Sequence, residues 1–169
     1  DKPCKDGDLL LMDVGAEYGH YNADMTRCIP VNERFSPRQK DVYNSVLNVM
    51  KGAKALLKPG VLMHEYHKQV GELMTKELVD LQLITLDDVK NQNPEWPAYK
   101  KYFMHGTSHF LGLDVHDVGD WTQPVAEGNV FTVEPGIYIR EESLGIRIEN
   151  NIVITKDGNV DMFERFAIE

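Results

Sequence analysis

Largely apolar stretches alternate with turn residues along the first thirty-one positions and predict a pair of strands. Residues 8–14, DLLLMDV, are mostly apolar and place Asp13 near the end of the stretch, and residues 20–31 form a second such stretch. Residues 17–19 lie between them, contain a glycine and favour a turn. The pattern therefore predicts an antiparallel hairpin at the start of the chain.

A period of 3.6 residues replaces this alternation over residues 37–57 and predicts a helix. Ser36 is a suitable N-cap, Pro37 suits the first helical position, and Pro59 with Gly60 would end the helix. The apolar positions share one face, which consists of Val42, Val46, Val49, Met50, Ala53, Leu56 and Leu57.

The periodicity continues into a second predicted helix over residues 64–81. Its inward residues are Tyr66, Val70, Leu73, Met74 and Leu78. Residues 85–102 are polar and contain two prolines, so we expect a short helix followed by a loop.

The last third of the chain returns to short apolar stretches separated by turn residues. Residues 130–133, 136–140, 146–155 and 160–166 are predicted strands, with a turn at Glu141 and Glu142. A hairpin, then helices, then strands indicates an α+β domain in which helices pack on one face of an antiparallel sheet.

Composition limits the classes of partner. The 169 residues include 18 basic and 27 acidic ones, giving a net charge of −9, so neither nucleic acid nor an anionic membrane is an expected partner. No apolar stretch is long enough for a membrane span, and the two cysteines are too few for a disulfide framework. With no signal peptide in the sequence, the cytoplasm is the default expectation for its location.

Four acids occupy positions that a strand does not favour: Asp13, Asp24, Glu134 and Glu149. If the first hairpin turns between Tyr18 and Gly19, Asp13 faces Asp24, and if the second turns at its two glutamates, Glu134 faces Glu149. Directly opposed like charges destabilise a sheet unless a cation lies between them. The pairing therefore predicts a site for two divalent cations, although strand-end acids are commonly just solvated.

A nitrogen ligand is expected from His105, His109 or His116, which lie within twelve positions in the segment MHGTSHFLGLDVHDVG. The motif at His64 and His67 is HExH, one residue short of a zincin HExxH, and we predict the exposed start of a helix there. We expect His20 to face solvent and Cys28 to be a packing residue. The nucleophile-elbow, P-loop and dinucleotide fingerprints are absent from the sequence.

Four segments of the chain together resemble a known family. LMDVGAEYGHYNADMTR, MHGTSHFLGLDVHDVG, TVEPGIYI and GIRIENNIVIT are similar to the metallopeptidases of the pita-bread fold, which include Xaa-Pro aminopeptidases, prolidases, methionine aminopeptidases and the metal-free creatinases. The second segment resembles aminopeptidase P and prolidase more than methionine aminopeptidase. The helical insertion over residues 81–103 favours aminopeptidase P. The resemblance implies a curved antiparallel sheet with helices on one face.

The resemblance also implies the roles of nine residues, eight in the pocket and one near it. The implied metal ligands are Asp13, Asp24, His109, Glu134 and Glu149, of which Asp24 and Glu149 bridge two ions. His105 and His116 are implied pocket histidines, Arg147 an arginine behind the ligands, and Tyr138 a residue near the site. The cofactor would be two divalent ions, most simply Mn²⁺, with Zn²⁺ and Co²⁺ as alternatives. The substrates would be proline-containing peptides, attacked by a water that bridges the ions, with Glu134 as proton acceptor and His116 steadying the oxyanion.

The resemblance further implies that residues 1–169 are the C-terminal part of a pita-bread domain truncated at its N-terminal side. One wall of the pocket would then belong to the missing part, which leaves the activity of the fragment in doubt and makes a homodimer through the exposed surface conceivable. Three alternatives remain: a prolidase that cleaves only Xaa-Pro dipeptides, a non-catalytic binding module of the same fold, and an unrelated α+β domain with surface acids.

Overall fold

A ribbon of short antiparallel strands begins the fold in the computed structural model, which describes residues 3–168. β1 (Leu9–Val14) pairs with β4 (Met25–Pro30), and β2 (Glu17–Tyr18) pairs with β3 (Tyr21–Asn22). The predicted hairpin is therefore present.

The turn of this hairpin lies later than predicted. Gly19 and His20 both have positive φ, 59° and 70°, as the two central residues of a type I′ turn require. The register shifts with the turn, so that Asp13 faces Thr26 and not Asp24. The predicted direct opposition of Asp13 and Asp24 is thus wrong.

Two helices pack against each other and against the strands, as the periodicity predicts. α1 (Pro37–Leu56) starts in a capping box between Ser36 and Gln39, and α2 (Met63–Asp80) follows after a short loop. The predicted inward faces of both helices form much of the core. α3 (Leu86–Lys90) is the predicted short helix, and an irregular segment with one 3₁₀ turn leads to the later strands.

The later strands are joined by the register that the sequence predicts. β5 (Val130–Val133) pairs with β8 (Asn150–Thr155), and β6 (Gly136–Ile139) pairs with β7 (Leu144–Arg147). β9 (Gly158–Asp161) lies on the other side of β8. A 3₁₀ turn at Arg140–Glu142 connects β6 to β7, where the turn is predicted.

Two of the predicted strands have different limits. The stretch 146–155 is interrupted between β7 and β8, where the N–H of Ile148 donates to Pro135 and that of Glu149 donates to Thr26, across to another sheet. The predicted strand 160–166 ends at Asp161, because the Asp161 side chain accepts the N–H of Phe163 and turns the chain.

The sheet is therefore divided, and side chains join its parts. We call the junction between residues 24–27 and residues 149–151 the strand seam. Across it, the N–H of Glu149 donates to the carbonyl of Thr26 at 3.1 Å, and Arg27 donates from Nη1 to the carbonyls of Thr26 and Glu149 at 2.9 and 2.7 Å. Every polar side chain of the seam is buried.

The surface of the described residues has two further features. No helix there is both long and apolar enough to cross a membrane. β1 pairs on one side only, with β4, and its Leu10 and Val14 are exposed.

Candidate metal centre

One cavity of about 420 Å³ opens between the two parts of the sheet. It contains all five predicted ligands and three of the four other predicted site residues, and its lining is Asp13, Asp24, His105, Gly106, Ser108, His109, His116, Glu134, Arg147 and Glu149. Tyr138 lies just behind it, with its hydroxyl oxygen 2.8 Å from His105 Nε2. Residues more than a hundred positions apart in the chain are thus brought together.

The side-chain donors are closest around His109. Ligand atoms of Asp24, His109 and Glu149 all lie within 4.8 Å of one another. His109 Nε2 is 3.6 Å from Asp24 Oδ2 and 3.6 Å from Glu134 Oε1. Three buried or half-buried carboxylates around one imidazole nitrogen form a donor set of the kind that Mn²⁺, Co²⁺ and Zn²⁺ accept.

The hydrogen bonds of His109 fix its tautomer. Nδ1 lies 2.9 Å from the carbonyl oxygen of Phe110, which can only accept, so Nδ1 carries the proton. Nε2 consequently presents its lone pair to the carboxylates, which is the arrangement that metal-binding histidines use.

The carboxyl groups hold their protons unusually tightly in the metal-free chain. Burial, with a smaller contribution from the neighbouring acids, raises the pKa of Glu134 to about 7 and that of Glu149 to about 8. Burial and the proximity of Asp13 also raise the pKa of Asp24. Arg147 Nε, 3.9 Å from Glu149 Oε2, offsets only part of the negative charge of the cluster, and divalent cations would supply the rest, so the residues present fit a metal site.

Asp13 takes a different position from the other acids. Its side chain is half exposed at the rim of the cavity and forms a short ion pair with the Arg147 guanidinium. Arg147 Nε also donates to Thr26 Oγ1 at 3.1 Å, and Thr26 Oγ1 donates to Glu149 Oε2 at 2.6 Å. Asp13 is therefore connected to the buried ligands through Arg147.

The other predicted pocket residues form a chain of hydrogen bonds. Arg147 Nη1 donates to the Tyr138 hydroxyl at 3.2 Å, and that hydroxyl donates to His105 Nε2 because His105 Nδ1 donates to the carbonyl of Gly106. The ring of His116 stacks on that of His109 with centroids 4.0 Å apart. These contacts hold the side chains around the cavity in defined orientations.

The predictions for residues outside the cavity are partly confirmed. His20 and His64 are exposed, and Cys28 is buried in the core, as predicted. His67 is not exposed: its Nδ1 lies 3.1 Å from Thr107 Oγ1, and burial lowers its pKa. The prediction for His67 is wrong because the segment before His109 folds back over this turn of α2.

The sequence analysis missed the polar residues that support the ligands. Thr26, Arg27 and Asn151 are buried in the strand seam and bond to the ligands or to their backbone. Their only signal in the sequence is that polar residues occupy positions within predicted strands.

The metal-free chain is expected to become less stable as the pH rises from 7 to 9. Glu134 and Glu149 titrate near 7 and 8 when folded, but near 4.5 when unfolded. The folded state therefore binds more protons across this range, and its stability falls as these protons are lost. We expect the free energy of unfolding to fall by roughly 1–2 kcal/mol, measured by urea denaturation in EDTA.

Measurements above pH 7 separate the pH dependence of stability caused by the two carboxyl groups from that caused by the histidines. His67 and His105 have lowered pKa values, so their contribution to stability changes mainly below 7. The double variant Glu134→Gln, Glu149→Gln is the control and should lose the dependence, and saturating Mn²⁺ should reverse it in the wild type. A stability that stays constant or rises between pH 7 and 9 would contradict the prediction.

The chain is similar to known metallopeptidases. Residues 1–156 match metallopeptidase family M24. The Xaa-Pro aminopeptidase of Haemophilus influenzae is 42% identical over 171 aligned positions, which cover 94% of this chain and 39% of that protein. The chain thus spans about two fifths of the length of this relative.

Solved structures extend the likeness to the fold. Escherichia coli aminopeptidase P with the inhibitor Pro-Leu is 40% identical with a TM-score of 0.87, covering 96% of this chain and 39% of that one. The zinc-substituted form of the E. coli enzyme in complex with product gives the same TM-score, identity and coverage. These matches confirm the predicted α+β architecture of the pita-bread type.

Proposed function

We propose that this chain, which belongs to metallopeptidase family M24, is the C-terminal part of a catalytic domain that hydrolyses the bond between an N-terminal residue and a following proline. The observation that supports this most strongly is the cavity that gathers His109 Nε2 and the carboxylates. The relatives named Xaa-Pro aminopeptidase and the E. coli enzyme that binds Pro-Leu indicate the substrate class.

Five residues would hold two divalent ions: Asp13, Asp24, His109, Glu134 and Glu149. Asp24 and Glu149 are proposed to bridge the ions, since both are buried at the strand seam between the other ligands. Mn²⁺ is the proposed metal, with Zn²⁺ and Co²⁺ as alternatives of similar ligand preference. When bound, the ions would acidify a water molecule and polarise the scissile carbonyl group.

Glu134 is the proposed proton acceptor. Burial raises the pKa of Glu134 to about 7 in the metal-free chain, and bound cations would favour the ionised carboxylate, which is the form that accepts a proton. Its Oε2 is 3.9 Å from His105 Nδ1, so the group faces the cavity. Glu134 would take the proton of the attacking water and pass it to the leaving nitrogen.

The pocket residues would bind the substrate and the developing charge. The exposed ring of His116, held against His109, would donate a hydrogen bond to the oxyanion. His105 and Tyr138, fixed by Arg147, would contact the peptide beside the scissile bond. Because these side chains are oriented before the substrate binds, less entropy is lost in bringing them and the substrate into position.

The proposed enzyme is longer than this chain, and its N-terminal part is the proposed partner of the exposed surface. The unpaired side of β1, with Leu10 and Val14 exposed, is suited to cover by further strands or by a second copy in a homodimer. That additional part would also complete one wall of the cavity.

The experiment that tests the function is a series of Xaa-Pro peptides, from dipeptide to pentapeptide, given to the longer protein loaded with Mn²⁺. We expect release of the N-terminal residue from the tripeptide to the pentapeptide, measured by mass spectrometry. An EDTA-treated sample is the control. Cleavage of the dipeptide alone would identify a prolidase, and binding of peptide and metal without cleavage would identify a non-catalytic module.

A further inference from the structure

We infer that Asn151 is a positioning residue for the metal centre, because its side-chain amide holds the backbone of Asp24 by two hydrogen bonds. The inference rests on the proposed function, in which Asp24 is a ligand. The N–H of Asp24 donates to Asn151 Oδ1 at 3.0 Å, and Asn151 Nδ2 donates to the carbonyl of Asp24 at 2.6 Å. Both residues are buried.

The amide takes the place of a neighbouring strand. A residue in an antiparallel pair exchanges one N–H and one C=O with its partner, and Asn151 offers the same two groups to Asp24 from its side chain. The backbone of Asn151 is used elsewhere, since the residue pairs with Thr132 in β5 and its carbonyl accepts the N–H of Met162. The side chain is thus available for Asp24 alone.

The two hydrogen bonds from the Asn151 side chain to the Asp24 backbone, which we call the amide clamp, explain how Asp24 keeps its place outside a regular strand. The ladder between β1 and β4 ends at Met25, so Asp24 is not fixed by β4 itself. Without Asn151, its buried N–H and carbonyl would both lose their partners. The carboxylate would then no longer be held 3.6 Å from His109 Nε2.

Only an amide provides both bonds at this position. Aspartate of the same size offers acceptors but no donor when ionised, and leucine offers neither. Glu149 is held independently, by its own N–H to Thr26 and by the Thr26 hydroxyl. Removal of the amide should therefore displace Asp24 and leave Glu149 in place.

The test compares metal affinity in the 169-residue chain and its variants by Mn²⁺ titration, with free Mn²⁺ followed by electron paramagnetic resonance. Asn151→Leu should weaken Mn²⁺ binding about 10-fold to 100-fold, and Asn151→Asp should weaken it less because the acceptor remains. Asn159→Leu is the matched control. The Asn159 amide donates to the carbonyl of Lys54 at 2.7 Å, far from the cavity, so its loss should lower the unfolding midpoint and leave the affinity within about twofold of the wild type.

Hydrogen exchange of single amides supplies a second readout on the metal-free chain. The Asp24 amide should exchange faster in Asn151→Leu and keep more of its protection in Asn151→Asp, where an acceptor for its N–H remains, while the Glu149 amide should keep its protection in both. Wild-type affinity in a folded Asn151→Leu chain would overturn the inference, as would an equal loss in Asn159→Leu. If the wild-type chain itself retains no Mn²⁺, the metal site proposed for these residues in this chain fails, and the role of Asn151 at the metal centre fails with it.

Discussion

Asp24→Asn is expected to abolish stoichiometric metal binding while making the metal-free chain more stable. Asparagine keeps the volume and both backbone bonds to Asn151, but it removes the negative charge that a cation would neutralise. Loss of a supporting residue weakens metal sites about 10-fold to 100-fold, so loss of a bridging ligand should cost at least about 100-fold in affinity. Elemental analysis after Mn²⁺ loading should fall from about two equivalents to near none.

The expected gain in stability distinguishes loss of a ligand from misfolding, because a misfolded variant would be less stable than the wild type. Burial and the proximity of Asp13 raise the pKa of Asp24, so the ionised carboxylate destabilises the metal-free fold and its removal should raise the unfolding midpoint at pH 8. Asp157→Asn, in the exposed turn between β8 and β9, is the control and should change neither quantity. Retention of two equivalents by Asp24→Asn would show that Asp24 is not a ligand.

Gly15→Ala is expected to destabilise the chain by about 3 kcal/mol, the upper range for overpacked sites, and to weaken metal binding at the same time. A Cβ atom at this position would lie only 1.9 Å from the carbonyl oxygen of Ala23, where backbone cannot move away without breaking the ribbon. The displaced segment leads directly into Asp24. Urea denaturation and Mn²⁺ titration would measure the two effects.

A second glycine separates the steric effect from the general effect of removing glycine. Gly158 begins β9, and a Cβ there would meet no atom within 4 Å. Gly158→Ala should therefore leave stability within about 0.5 kcal/mol of the wild type and leave the affinity for metal unchanged. Equal stabilities of Gly15→Ala and Gly158→Ala would refute the argument from close approach.

Features that depend on neighbours in sequence could be predicted from the chain. Ser36 and Pro37 mark the start of α1 because capping uses groups within one turn, and the helix begins at the predicted residue. The pairing of β6 with β7 follows from its short connection, which leaves little choice of register. The grouping of the acids could be predicted because carboxylates are unusual in strands, and that of the histidines because three lie within twelve positions.

Features that depend on distant contacts could not be predicted in this way. His20 has a positive φ and lies in the first turn, which is therefore later in the chain than predicted. The shift changes the strand partner of Asp13 from Asp24 to Thr26. The side chain of Asp13 turns to Arg147, 134 positions away. The amide clamp of Asn151 likewise connects β8 to the residue before β4, and no local sequence pattern predicts such a contact.

The spacing of the ligands along the chain has a consequence for the order of events during protein synthesis. Asp13 leaves the ribosome early and Glu149 late, and the cavity contains both. A nascent chain that stops before β8 lacks Glu149 and the amide of Asn151, so it cannot form the cluster around His109. If these residues hold metal as proposed, its uptake would therefore follow translation of β8.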